Sequence, residues 1–104
     1  MDQIELFKVQ VAKNIEGLGS DKDVQALSRI WSRETNRNAY TYNFSWLGRP
    51  IIQYPQDIVA IQEIIWQVKP DLIIETGIAH GGSLIVSSSM LELNAMCGGP
   101  EDTK

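Results

Sequence analysis

One stretch of the sequence, Asp71–Ser83, decides the fold, and it reads DLIIETGIAHGGS. Its apolar run, Leu72–Ile74, has the continuous hydrophobicity that is typical of a buried parallel strand. The run ends at the acid Glu75, and the glycines that follow allow a tight turn and a close approach of backbone N–H groups to a ligand: Gly77, Gly81 and Gly82. The stretch predicts a strand, a glycine-rich turn and a helix start, whose unpaired N–H groups and positive dipole attract an anionic group.

Composition limits the classes of protein to which the chain can belong. Its 104 residues are enough for one modest domain, and a hydrophobic content of 43% is ordinary for a globular protein. The net charge of -4, without a cluster of lysine or arginine, argues against nucleic acid or an anionic membrane as the partner. The single cysteine, Cys97, excludes an internal disulfide and suits a reducing compartment. We therefore predict a cytoplasmic protein without a membrane span, in which Cys97 is a buried, inert thiol.

The N-terminal part has the pattern of two helices. Apolar residues at helical spacing predict a first helix that Gly17 and Gly19 bring to an end, and these residues are Ile4, Phe7, Val11 and Ile15. A second helix is predicted from Ser20 or Asp21, with Asp23 in its first turn. Its buried side is predicted to consist of Val24, Leu27, Ile30 and Trp31.

The middle of the chain is less regular. The asparagine-rich segment 35–42 is predicted to be a loop, and the aromatic segment 44–55 to be irregular or briefly extended. Pro55 suits the first position of a third helix, which Lys69 and Pro70 end. Its predicted buried stripe is Ile58, Ile61, Ile65 and Val68. A fourth helix is predicted from about Gly82 to Met96.

A single buried strand cannot satisfy its own backbone groups, and one that is apolar on both faces requires neighbouring strands. We therefore expect the chain to be the first part of a larger α/β domain, a Rossmann-like doubly wound sheet cut off after its first strand and the following helix. The expected organisation is a helical segment at residues 1–42 and the start of the Rossmann-like domain at residues 43–104.

The glycine-rich turn fits one class of cofactor best. A dinucleotide motif of the G-x-G-x-x-G type would need a glycine at Ala79, and the G-K-[ST] ending of a phosphate-binding loop is absent. The pattern E-x-G-x-x-x-G-x-S resembles the first motif of class I S-adenosylmethionine-dependent methyltransferases, in the form seen in catechol methyltransferase-like enzymes. In this interpretation Glu75 serves the cofactor's ammonium, directly or through water, and Ser83 with the helix start serves its carboxylate. The resemblance implies cofactor contact at Glu75, Thr76, Gly77, Ala79, Gly81, Gly82 and Ser83.

A narrower resemblance covers residues 44–91. The elements W-x-G-x-P-I-x-Q-x-P-x-D from Trp46, Q-E-I-I from Gln62 and K-P-D-x-I-I-E-T-G-x-A-x-G-G-S-L from Lys69 are similar to the cephalosporin hydroxylase and rhamnosyl O-methyltransferase family. The resemblance implies a Rossmann-like fold, with the acids that hold a divalent metal such as Mg²⁺ and the cofactor's ribose beyond Lys104. We therefore expect no metal ligands in this chain, and no activity from it alone.

The function expected from this resemblance is that of an S-adenosylmethionine-dependent O-methyltransferase acting on the hydroxyl of a sugar, glycolipid or natural product. The expected partners are a small-molecule acceptor and, through unpaired strand edges, further copies of the chain. A rival hypothesis is a non-catalytic subunit that binds cofactor or assembles with a partner enzyme. The catalytic residue is left unassigned, because a lone histidine on a glycine turn, here His80, is more often solvated than a general base.

Overall fold

The computed structural model describes residues 2–98, and the chain divides into two compact units, Met1–Asn38 and Ala39–Lys104. The described residues form a mixed α/β structure of four α-helices and a two-stranded antiparallel sheet. The elements are α1 (Gln3–Ser20), α2 (Lys22–Asn36), β1 (Phe44–Trp46), β2 (Arg49–Ile51), α3 (Pro55–Val68) and α4 (Gly82–Met96). None of these helices combines the length and the apolar character that a membrane crossing needs.

The first unit is a pair of helices joined by one residue, Asp21. The side chain of Asp21 caps α2 by accepting hydrogen bonds from the backbone N–H groups of Asp23 and Val24, which confirms the predicted start of this helix. The prediction that Gly17 and Gly19 stop α1 was wrong, since the helix continues to Ser20. A glycine inside a helix costs only about 1 kcal/mol relative to alanine, which is too little to break an otherwise regular helix.

The apolar side of α2 is more exposed than the sequence predicted. Val24 is half-buried, but Leu27 is 64% exposed, and Ile30 and Trp31 are also exposed. No residue of α1 or α2 is fully buried. Two helices cover each other only along their line of contact, so the predicted burial was wrong for three of the four residues.

The second unit begins with a 3-10 turn at Tyr40–Tyr42 and a β-hairpin. The predicted loop at 35–42 was therefore only partly correct, because α2 reaches Asn36 and a helical turn follows. In the hairpin, Phe44 pairs with Ile51 and Trp46 pairs with Arg49. Leu47 and Gly48, the two residues between the strands, both have positive φ, as a tight two-residue hairpin turn requires.

The helices α3 and α4 lie where the sequence predicted them. α3 begins at Pro55 and is capped at Lys69 in a left-handed conformation, and α4 spans Gly82–Met96. The core consists of Ile51, Ile65, Val86 and Met90, with Phe44, Trp46, Ile58, Ile61 and Ile73 packed against it. Val68 is 66% exposed, because it lies one turn beyond Ile65, where the core ends. Cys97 is exposed as well, so its predicted burial was wrong.

The predicted parallel strand at Leu72–Ile74 is not formed among the described residues, whose only sheet is the hairpin. The side chains still alternate as in an extended segment: Ile73 and Glu75 are half-buried, whereas Leu72 is 53% and Ile74 81% exposed. A strand needs a neighbour for its backbone groups, and no described residue supplies one. The doubly wound sheet therefore stays a prediction.

Candidate cofactor site

The turn between Glu75 and α4 has an unusual backbone. Gly77, Ala79 and Gly81 all have positive φ, at 72°, 51° and 83°, and the N–H of Gly81 donates to the carbonyl of Ile78 at 2.9 Å. Glycine adopts this region without strain, whereas an alanine there is uncommon. The turn therefore bends back on itself and brings the start of α4 next to Glu75.

Gly82 has a packing role in this turn. A Cβ atom on Gly82 would lie 2.8 Å from the carbonyl carbon of Pro50 and 2.9 Å from the Cβ of Ile51. Only a residue without a side chain lets β2 pack so closely on the first turn of α4. The hairpin is therefore held directly against the turn, while a contact between Gly82 and cofactor stays a prediction.

Glu75 and Ser83 form a pair across the turn. The Ser83 hydroxyl donates a hydrogen bond to Oε1 of Glu75, whereas Oε2 of the same carboxylate is buried and has no hydrogen-bond partner among the described residues. Sequence reasoning assigned the Ser83 hydroxyl to a ligand carboxylate, but in the structure it holds Glu75. A buried carboxylate oxygen without a partner is costly, so Oε2 is a strong acceptor for a ligand donor.

Two cavities meet at this pair. The first, called the turn cavity, has a volume of about 200 Å³, and its lining includes Pro50, Ile52, Thr76, Gly77, Ile78, Ala79, His80 and Gly82. The second, called the isoleucine cavity, has a volume of about 270 Å³, and its lining includes Gln53, Ile58, Ile61, Ile65, Ile73, Val86 and Ser87. Ile51, Glu75 and Ser83 line both cavities.

The site combines positive and negative groups. The first N–H groups of α4 have no carbonyl partner in their own helix, and the helix dipole makes this end positive. The Arg49 guanidinium adds charge nearby, since its Nη1 lies 3.6 Å from the position of a Cβ on Gly81. Neither ion pair found among residues 2–98 involves Arg49. A ligand with both an anionic and a cationic group would match this arrangement.

The structure brings six of the seven predicted cofactor residues to the turn cavity, and these are Glu75, Thr76, Gly77, Ala79, Gly82 and Ser83. Gly81 instead forms the N-cap of α4. His80 also lines the cavity, but it is exposed and forms no hydrogen bond with a described residue. No three side chains of the metal-ligating type come together anywhere in residues 2–98.

No role in the site was assigned to Arg49 or to Gln53 from the sequence. Both lie in the W-x-G-x-P-I-x-Q element, whose spacing could have indicated that the hairpin and the residues after it contribute to the site. The spacing of this element does not show that the hairpin packs on α4, because the contact of β2 with α4 joins residues about thirty positions apart.

The W-x-G-x-P-I-x-Q element and the glycine-rich turn both lie in the part of the chain that matches a known protein family. The family model described as rhamnosyl O-methyltransferase/CmcI matches residues 38–100, which is more than half of the chain. Searches of curated proteins and of solved structures find no significant match. The match includes the hairpin, α3, the glycine-rich turn and α4. The chain belongs to the rhamnosyl O-methyltransferase/CmcI family.

Proposed function

We propose that the chain binds S-adenosylmethionine at the turn cavity, as part of an O-methyltransferase that acts on the hydroxyl of a sugar, glycolipid or natural product. The observation that carries the proposal is the buried Oε2 atom of Glu75, which has no hydrogen-bond partner among the described residues. An ammonium group is the ligand donor that best satisfies a buried carboxylate oxygen. The methionine end of this cofactor has such a group beside a carboxylate.

The charges of the site support this cofactor over a dinucleotide. The start of α4 and Arg49 favour a ligand carboxylate, but Glu75 would repel the pyrophosphate of a dinucleotide. The spacing of the glycines, with Ala79 between Gly77 and Gly81, also differs from the dinucleotide motif. A zwitterionic amino-acid group is therefore the better match to this site.

When bound, the cofactor would supply an electrophilic methyl group on a sulfonium to an acceptor hydroxyl, with the C–S bond breaking to release S-adenosylhomocysteine and the hydroxyl proton passing to a base or to water. The residues described here would act by binding and orientation. Ser83 holds Glu75 in place, Glu75 binds the ammonium, and the close contact of Gly82 with Pro50 fixes the hairpin beside the turn. Such positioning is worth about 7–11 kcal/mol of a reaction barrier in favourable cases. The Rossmann-like sheet, in which Leu72–Ile74 is the first parallel strand, is part of the proposal.

Titration calorimetry of the chain with S-adenosylmethionine tests the proposal. Glu75→Gln removes the charge that faces the ammonium but keeps an acceptor for Ser83, so we expect the affinity to fall about tenfold or more. Glu92→Gln is the matched control, because Glu92 is exposed on α4 and lies outside both cavities. The proposal is wrong if the unmodified chain does not bind, or if both variants bind as it does.

A second candidate function is assembly with further copies of the chain. The observation that favours it is the exposed apolar side of α2, where Val24, Leu27, Ser28 and Trp31 line a shallow groove. Contiguous exposed apolar surface is a feature of interaction sites. Sedimentation velocity would decide, since Leu27→Ser should shift an oligomer towards monomer, and a chain that is monomeric at all concentrations excludes this role.

A further inference from the structure

Gln53 lies on the wall of the isoleucine cavity that it shares with Glu75 and Ser83. Two hydrogen bonds fix it: its backbone N–H donates to the carbonyl of Thr41 at 3.0 Å, and its side-chain Oε1 accepts from the N–H of Tyr54 at 3.2 Å. The half-buried side chain is therefore held by its oxygen. Its Nε2 group has no hydrogen-bond partner among the described residues.

The cavity thus contains an unpaired donor and an unpaired acceptor. Nε2 of Gln53 can only donate, and Oε2 of Glu75, which is buried, can only accept while the carboxylate is ionised. Six of the other residues around the cavity are apolar: Ile51, Ile58, Ile61, Ile65, Ile73 and Val86. In such surroundings a hydrogen bond to a ligand is electrostatically stronger than in water.

We propose that Gln53 is an additional binding residue for the carboxylate of the ligand's amino-acid end, which enters the isoleucine cavity beside Ser83 at the start of α4. Nε2 of Gln53 donates to this carboxylate while Glu75 binds the ammonium. This inference rests on the proposed function, and it adds a residue that discriminates between cofactor analogues. The two side chains then bind the two charged groups of one zwitterion. Glu75 accepts hydrogen bonds from the ammonium, and Gln53 donates one to the carboxylate. Because its Oε1 already accepts from the N–H of Tyr54, its Nε2 is the end of the amide that is left to bind a ligand.

Ligands that differ in the charged groups of the amino-acid end provide the test. S-adenosylmethionine has both charged groups, its decarboxylated analogue has only the ammonium, and 5′-methylthioadenosine has neither. Titration calorimetry of the chain measures the three affinities for the unmodified protein and for Gln53→Leu, which removes the Nε2 donor together with the acceptor of the Tyr54 N–H and leaves an apolar side chain of similar size. Gln62→Leu is the matched control, since Gln62 lies on α3 and lines neither the turn cavity nor the isoleucine cavity.

We expect Gln53→Leu to weaken S-adenosylmethionine binding about tenfold or more, as the loss of a hydrogen bond to a charged group does, and to leave the decarboxylated analogue unaffected. Gln53→Glu should weaken S-adenosylmethionine further, because two carboxylates would face each other, but should not weaken the analogue. Far-UV circular dichroism checks that each variant is folded. A loss of structure would weaken the binding of every ligand. A loss confined to S-adenosylmethionine within one variant therefore shows that recognition of its carboxylate has been lost.

Equal losses for S-adenosylmethionine and its decarboxylated analogue would overturn the inference, since they would show that Gln53 acts only on the structure or on Glu75. Unchanged binding of S-adenosylmethionine by Gln53→Leu would overturn it as well. If binding is lost in Glu75→Gln but kept in Gln53→Leu, this inference alone fails and the proposed function stands. If the unmodified chain binds none of the three ligands, the proposed function fails and this inference fails with it.

Discussion

Gly82 lies directly against the main chain of Pro50, so closely that a methyl group at Gly82 would overlap the carbonyl of Pro50. The contact joins the first turn of α4 to the second strand of the hairpin, and both carry residues of the proposed site. A backbone carbonyl within a strand cannot move aside as a flexible side chain can. The distance between hairpin and turn therefore depends on the absence of a Cβ atom at this position.

Gly82→Ala is expected to destabilise the protein by about 1–3 kcal/mol, because an extra methyl group would be forced against a packed backbone. Urea denaturation measures the change in the free energy of unfolding. Gly17→Ala provides the contrast, since a Cβ there meets nothing within 4 Å and the residue lies inside α1. The same chemical change should stabilise α1 by about 0.5–1 kcal/mol. Equal effects at the two positions would show that the contact with Pro50 has no energetic weight.

Gly77 offers a test of the turn that separates strain from ligand contact. Its φ of 72° strains most side chains, but a Cβ there would point into open space. Asparagine tolerates this conformation, so Gly77→Asn should fold and still lose S-adenosylmethionine affinity, because its side chain would take up space where the proposed ligand meets the backbone of the turn. Gly77→Val should also lose stability. His80→Ala should change the affinity little. Titration calorimetry measures these affinities, and a folded Gly77→Asn variant that binds with normal affinity would refute the placement of the cofactor.

The parts of the fold that could be predicted are those with local signals. Pro55 sets the start of α3, and Gly81 with Gly82 marks the start of α4, so both helices have the predicted bounds. The hairpin was missed because its turn, Leu47-Gly48, has leucine where asparagine or aspartate is usual. Local chemistry determines these helix starts, whereas the hairpin is stabilised by its packing on the core and on α4.

The candidate site shows the same division. The positions of Glu75 and the glycines followed from the motif, because a motif records residue types at fixed spacing. The bond between Ser83 and Glu75 could not be deduced, since it depends on how the turn folds back. The burial of Oε2, which carries the proposed function, depends on packing that no sequence pattern records.

Asn94 is expected to be important for the packing of α3 on α4. It is buried, and its Nδ2 donates to the carbonyl of Ile65 at 3.1 Å. Asn94→Ala should cost about 1–3 kcal/mol, and Asn94→Asp more, because a buried carboxylate would face a carbonyl oxygen. Thermal unfolding compares them with Asn14→Asp, in which an exposed oxygen still accepts the hydrogen bond from Gln10. The role of Asn94 would be disproved if its two variants melted at the temperature of the Asn14 variant.

The hydrogen bond between Trp46 and Ser89 fixes the first strand of the hairpin on α4. The indole Nε1 donates to Oγ of Ser89 at 3.1 Å, and this hydroxyl in turn donates to the carbonyl of Ile85 at 2.7 Å. Ser89→Ala removes the acceptor and leaves a half-buried indole N–H without a partner, so we expect a loss of about 0.5–1.5 kcal/mol. Urea denaturation of the variant measures this loss.

The neighbouring residue supplies the control for this bond. Ser88 is exposed on the same helix and its hydroxyl donates only to the carbonyl of Leu84, so Ser88→Ala should be neutral or slightly stabilising, as alanine favours helices. Trp46→Phe, alone and combined with Ser89→Ala, completes a double-mutant cycle. In the Trp46→Phe background, Ser89→Ala should cost nothing, because the donor has already been removed. A cost that persists in this background would mean that Ser89 stabilises α4 through Ile85 and not through the indole.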